Sequence, residues 1–182
     1  MKHTKLVTTT ILAAATAALA LFLTGCGSAN KAANMLTSTK PVAQNIKITV
    51  AKTLENTSLQ IDLLGANTIS DLPKWETYSV TEYWQPGNTT RRDTVRFTLD
   101  FGTGKPASQT FSKKNEIWKR WLGTGCANLV ILADLPGVAG GGANDPRRLI
   151  IPLDAKSWKK SSGAPIEILV QESGLRLLTP RN

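Results

Sequence analysis

Hydrophobic and polar residues alternate with a period of two along much of this chain. Ile46, Ile48 and Val50 alternate with Lys47, Thr49 and Ala51. Leu59, Ile61 and Leu63 alternate with Gln60 and Asp62, and Val95, Phe97, Leu99 and Phe101 alternate with Arg96, Thr98 and Asp100. Each pattern predicts a strand with one face on a core. The runs Leu129 to Ala133 and Leu149 to Leu153 are short and continuously apolar, which predicts strands buried on both faces or at a sheet centre. Ile166, Ile168 and Val170 continue the alternation, and Ser173-Gly174 predicts a tight turn into a last strand over Leu175 to Leu178.

One segment has helical spacing. Between Lys113 and Leu122, the residues Ile117, Trp118, Trp121 and Leu122 share one helix face, with Ser112 a candidate cap and Gly123 or Gly125 a candidate stop. Trp75 to Trp84 is ambiguous, but its Thr, Tyr, Val and Trp favour a strand. Two connections are rich in turn residues, Gln85 to Asp93 and Pro136 to Pro146. The expected fold is mostly β: an antiparallel β-sandwich of about seven or eight strands with one inserted short α-helix.

The N-terminus changes the picture of where this domain works. Lys2, His3 and Lys5 form a basic head, and Leu6 to Leu23 is uncharged and apolar. This is the pattern of a secretory signal peptide. It ends in Leu23-Thr24-Gly25-Cys26, which resembles the lipobox of bacterial lipoproteins. The resemblance implies a signal peptide over residues 1–25, cleavage before Cys26 and acyl chains (palmitate among them) on Cys26 as the sole covalent group. Two acyl chains hold a protein firmly to a bilayer without a spanning helix. Gly27 after the cysteine implies the outer membrane, with the domain facing the periplasm. Residues 26–44 are then a lipidated cysteine and a small, polar tether reaching about 25 Å as a coil. Residues 45–182 remain as a single sandwich domain.

Composition narrows the chemistry. The only histidine is His3, in the segment expected to be removed, so a histidine-based catalytic triad or zinc site is excluded from the mature chain. With Cys26 acylated, Cys126 has no intramolecular partner and reads as a small buried hydrophobe. The expectation is a protein that is not an enzyme and carries no metal or cofactor. Basic residues outnumber acidic ones, 22 to 13, which favours anionic partners such as lipid headgroups or an envelope polymer. An envelope location argues against nucleic acid.

Candidate binding residues fall into two sets. Arg91-Arg92 and Arg147-Arg148 flank the turn-rich connections, and Gly140, Gly141 and Gly142 lie within the second. If those connections share one end of the sandwich, they make a positive patch for a protein partner. Trp75, Tyr78, Tyr83 and Trp84 are the second set, a stacking platform for sugar rings or else part of the core. Glu76 and Glu82 are not a catalytic pair. On a strand they stand about 20 Å apart, whereas paired glycosidase carboxylates need about 5 to 10 Å.

In layout the chain resembles the outer-membrane lipoprotein subunit of type VI secretion. The shared features are the lipobox, a short tether, a first strand Ile46-Lys-Ile-Thr-Val50, and a late apolar strand Asn128 to Ala133 followed by a loop and a strand over Arg147 to Leu153. That resemblance implies a sandwich whose loops hold the periplasmic part of an inner-membrane protein. The Tyr-Gln-Leu-type segment usual after the second strand is replaced by Leu63-Leu-Gly-Ala-Asn67. No functional residue carries over. The other reading is a lipoprotein that binds carbohydrate or another envelope polymer.

Overall fold

The computed structural model describes residues 40–182. The predicted leader, Cys26 and the tether as far as residue 39 lie outside the described residues. Eight strands follow the alternating segments: β1 Ile46–Val50, β2 Leu59–Asn67, β3 Arg96–Phe101, β4 Ser108–Phe111, β5 Cys126–Ala133, β6 Arg148–Pro152, β7 Ile166–Gln171 and β8 Gly174–Leu177. They form two four-stranded sheets, ordered β4-β1-β7-β8 and β3-β2-β5-β6. The fold is a β-sandwich.

The inner faces follow the period-two pattern. Ile46, Ile48 and Val50 of β1 and Ile166, Ile168 and Val170 of β7 meet Leu59, Ile61 and Leu63 of β2 and Leu129, Ile131 and Ala133 of β5 in one buried cluster. Burying a side chain of this size contributes about 1.5 to 3 kcal/mol. The sheets are not wholly antiparallel as expected: β1 and β7 run parallel, Ile46 opposite Ile166 through Val50 opposite Val170. The two strands are far apart in sequence, and the intervening chain supplies the crossover that a parallel pair needs.

The predicted helix starts later than expected. α4 spans Ile117–Gly123, and Ser112 instead accepts a hydrogen bond from the Lys114 amide in the preceding turn. Its Trp118 and Trp121 are buried, with Trp118 stacked on Phe111 at 4.9 Å. Each indole finds an acceptor, Ser112 O at 3.1 Å and Val95 O at 3.2 Å. Beyond the helix, Gly125 sits at φ +81°, a conformation that favours glycine. Gly65 has a different reason: a Cβ there would lie 2.5 Å from Trp121 Cγ and 2.9 Å from Cys126 Sγ.

Three differences from the expected elements have local causes. The segment from Trp75 to Trp84 is helical, not a strand: α1 spans Leu72–Thr77 and α2 Val80–Tyr83. Pro73 sits in the first turn of α1, where a missing N–H costs nothing. Ser79 caps α2 by accepting from the Glu82 amide at 3.2 Å. Ser79-Val-Thr-Glu82 is therefore a capping-box spacing that outweighs the β propensity of the aromatics. The Gln85–Asp93 connection holds a third short helix, α3 Thr89–Asp93, capped by Asn88 Oδ1 accepting from the Arg91 amide at 2.7 Å. Four short α-helices are thus present among the described residues, where one was expected.

The third difference concerns the apolar run at Leu149 to Leu153. It forms β6, an edge strand and not a central one. Leu149 and Ile150 are only half buried there. β5, by contrast, is central and buried on both faces as expected. Residues 40–44 also join the folded unit: the Val42 amide donates to Leu153 O at 3.1 Å and Gln44 is buried.

Candidate partner-binding groove

The helices α1 to α3 cover the outer face of the β3-β2-β5-β6 sheet. Leu64 and Ala66 of β2 and Val130 and Leu132 of β5 face outward and pack beneath Trp75, Val80 and Tyr83 in a second buried cluster. One step along β2 from Leu64, on the same face, stands Asp62. Its side chain is fully buried.

Asp62 is the hub of a polar network. Its carboxylate accepts from Thr98 Oγ1 at 2.6 Å, Arg91 Nε at 2.8 Å and the Tyr83 hydroxyl at 2.9 Å. Arg96 Nε lies 3.4 Å away as a further ion-pair partner. Arg91 also donates from Nη2 to Gln60 Oε1 at 2.9 Å, and Gln60 Nε2 donates to Asp100 at 2.8 Å. Burial first, and then the Asp62 charge, push the Tyr83 hydroxyl far above its ordinary value. Burial pulls the Arg91 guanidinium down, but its hydrogen bond to Asp62 and that carboxylate's charge outweigh this and raise it. A buried carboxylate is tolerated only when paired and hydrogen-bonded in this way.

Above this network lies an open groove of about 470 Å³, walled by Gln60, Trp84 to Asn88, Arg91, Arg92, Arg96 and Asp134. The Arg91 guanidinium stacks 4.2 Å from the Trp84 ring centroid. Arg92 is exposed and leans on Asp93 at 2.7 Å. Two donors in these walls are buried without a hydrogen-bond acceptor, Trp84 Nε1 and Arg96 Nε. The wall carries three guanidinium groups against one carboxylate, Asp134, and each guanidinium already has an acceptor within the fold: Arg91 on Asp62 and Gln60, Arg92 on Asp93, and Arg96 on the Arg91 carbonyl. Its chemistry suits a carboxylate or carbonyl brought by a partner.

The residues expected to bind a partner divide. Arg91 and Arg92 line the groove, but Arg147 and Arg148 do not join them in a patch, because both are spent inside the fold. Arg147 clasps Asp145 in a fork, Nε to Oδ1 at 3.0 Å and Nη2 to Oδ2 at 2.7 Å, and reaches Thr81 Oγ1 at 2.8 Å. Arg148 donates to the Tyr78 carbonyl at 2.7 Å and to the Gly142 carbonyl. The pair ties the 142–148 connection down onto α1 and α2. Burial pushes Asp145 up, but its hydrogen bonds from Arg147 and the Arg147 charge outweigh that and lower it. Gly140, Gly141 and Gly142 are exposed, and a Cβ at Gly140 would strike the Asp145 carboxylate at 2.6 Å.

The aromatic set builds the second cluster. Trp75 and Tyr83 are buried, in edge contact at 6.0 Å. Tyr78 is half buried, donating to Glu82 at 3.2 Å and accepting from Asn88 Nδ2 at 3.1 Å. Of the four, Trp84 alone lines the groove. The four therefore do not form one shared exposed face: Trp75 and Tyr83 are buried, and Tyr78 and Trp84 are half buried. Cys126 is buried and free, its thiol pushed up by burial.

Alternation alone reads Gln60, Asp62 and Arg96 as solvent-facing, so nothing marked them as site residues. The available signal is Leu63-Leu64: two consecutive apolar residues break the period and show that both faces of β2 are covered. Among the described residues no group of three or more His, Cys, Asp or Glu side chains is placed to hold a metal, and no helix is long and apolar enough to cross a membrane.

The chain matches no family model and no curated protein. Among solved structures it is similar to the C-terminal domain of the type VI secretion protein TssM from EAEC, with 10% identity, a TM-score of 0.49, and coverage of 74% of this chain and 99% of that one. A type VI membrane complex gives 10% identity, a TM-score of 0.49 and coverage of 74% and 96%. Serratia marcescens Lip, a membrane-bound component of the type VI secretion system, gives 10% identity, a TM-score of 0.45 and coverage of 74% and 95%. At these identities and scores the functional reading rests on the residues of the site itself.

Proposed function

We propose that this chain is a lipid-anchored, non-catalytic binding module of a bacterial envelope, and that its partner site is the arginine groove over Asp62. The observation that carries the site is its charge: three guanidinium groups, Arg91, Arg92 and Arg96, against the Asp134 carboxylate in the groove wall. An acidic segment of an envelope protein complements the positive charge of this wall. The module needs neither a cofactor nor a metal, and its one covalent addition is the lipid on Cys26. The lipobox and Gly27 support an outer-membrane anchor with the domain in the periplasm. The order of lipobox, tether, first strand and late apolar strand supports a more specific reading, the lipoprotein subunit of a type VI secretion envelope complex.

The test is capture from solubilised envelopes with the lipidated chain, comparing wild type with Arg92→Glu. Arg92 is exposed, so its replacement leaves stability within about 0.5 kcal/mol. The expected result is one envelope protein retained by wild type, released by salt and lost with Arg92→Glu. Equal retention by both chains would remove the groove from the account. Mass spectrometry of the native protein tests the anchor separately: acyl mass on Cys26 is expected, and an intact Met1 or a bare Cys26 thiol contradicts it.

A further inference from the structure

A second charged feature lies where the chain enters the described domain. Three segments meet there. The Lys113 amide donates to Asn45 Oδ1 at 2.8 Å, and Asn45 Nδ2 donates to Gly163 O at 3.3 Å. Pro41 bridges to Asp154. Between them is a concavity of about 340 Å³, walled by Val42 to Asn45, Lys113, Ala155 and Lys160 to Ala164. Trp158 fixes the third segment from below: it is buried, and its indole donates to Pro152 O at 3.2 Å.

These segments carry Lys40, Lys113, Lys114, Lys156, Lys159 and Lys160. All but Lys160 are exposed, and none of the six has an ion-pair partner among the described residues. The acids nearby are engaged elsewhere. Glu116 pairs with Lys119 at 2.7 Å, and Asp154 accepts from the Ser157 amide and hydroxyl at 2.9 and 2.6 Å. Lys160 donates to Ala164 O at 2.7 Å. Its ammonium is pulled below the ordinary lysine value by burial and then by the Lys113 charge, and Lys113 and Lys160 both wall the cleft.

We propose that this lysine face docks the domain onto an anionic phospholipid surface, with headgroup phosphates seated at the Lys113–Lys160 cleft. Charge complementarity is one argument. Five exposed ammoniums without an ion-pair partner among the described residues, with Lys160 beside them in the cleft, are compact point charges of the kind that anionic headgroups attract, each worth about fivefold in binding near the surface. Reach is the other argument, and it rests on the lipid-anchor reading. From Cys26 to Lys40 the chain spans at most about 50 Å extended and roughly 20 Å as a coil. An acyl chain on Cys26 therefore keeps this face close to a bilayer. Docking there gives the domain one preferred face toward the lipid.

The unit from Thr39 to Asn182 holds both buried clusters and can be tested without the lipid. The probe is flotation with vesicles of phosphatidylethanolamine containing a quarter phosphatidylglycerol, against phosphatidylcholine alone, at low and at high salt. Binding to the anionic vesicles, lost at high salt, is expected. Lys113→Glu/Lys156→Glu/Lys160→Glu should weaken it at least about tenfold. The control Lys47→Glu/Lys52→Glu/Lys74→Glu, with the same change in net charge, should keep most of it. Circular dichroism and thermal unfolding establish that both variants are folded. Equal losses in the two variants would reduce the effect to net charge and overturn the proposal, as would equal binding to phosphatidylcholine. Capture of the wild-type domain on peptidoglycan as strong as on vesicles would overturn the lipid surface in favour of a general polyanion. Arg92→Glu should float like wild type, so failure of the arginine groove and failure of this face are read separately.

Discussion

The two faces of the β3-β2-β5-β6 sheet are built on different physics. The inner face is apolar throughout and closes on the other sheet. The outer face mixes an apolar patch with a buried carboxylate, and short helices cover both. Adjacent residues on one strand show the contrast: Ile131 packs into the first cluster and Leu132 into the second. An apolar face needs only area to be stable. A face carrying Asp62 needs every partner in place, because an unpaired buried charge costs several kcal/mol. The outer cover is therefore held by specific hydrogen bonds, and the groove it forms inherits that fixed geometry.

The largest effects test whether both faces are true cores. Ile131→Ala should destabilise the domain by about 3 to 4 kcal/mol in urea unfolding. Leu132→Ala should cost a comparable amount. A loss below about 1 kcal/mol at Leu132 would mean that the helical cover is loosely held. Asp62→Ala comes next, at about 3 kcal/mol, because it strands Arg91, Arg96 and the Tyr83 hydroxyl together. Adding Arg91→Met and Arg96→Met should recover part of that loss. Additive losses in the triple variant would show that the network is not coupled through Asp62.

Smaller effects sharpen the contrast. Tyr83→Phe removes one donor from a carboxylate that keeps others, so about 1 kcal/mol is expected, measured by the same unfolding curves. Asp145 provides a pH signature. Its folded value is lowered, so its contribution is present above the ordinary carboxylate range and is lost as pH falls through the folded value. Thermal unfolding should show wild type losing stability in acid. Arg147→Leu removes the side-chain hydrogen bonds and the adjacent charge but keeps the residue-147 amide and Arg148, so this acid loss should shrink.

The same contrast explains what could be read in advance. Inner-face residues such as Ile46, Ile61 and Ile168 were legible because alternation is a local signal. The parallel pairing of β1 with β7 was not, since register between distant strands leaves no local trace. Trp75 to Trp84 misled because aromatics favour strands in general, while Ser79 and Asn88 acted through single capping bonds. Arg91 and Arg92, singled out by their place in a turn-rich segment, line the groove. Arg147 and Arg148 looked equivalent, yet Asp145 two residues earlier already offered Arg147 a partner. Asp62 and Arg96 were hidden because a polar residue on an alternating strand reads as solvated unless something covers that face.

The groove over Asp62 is the proposed contact face on which the functional reading depends. In-cell photo-crosslinking from Gln85, an exposed residue in its wall, against Glu172, exposed at the β7–β8 turn, tests this most directly. A discrete adduct to one envelope protein from Gln85, absent from Glu172 and from Gln85 in an Arg92→Glu background, is the predicted result. An adduct from Glu172 with none from Gln85 would contradict it.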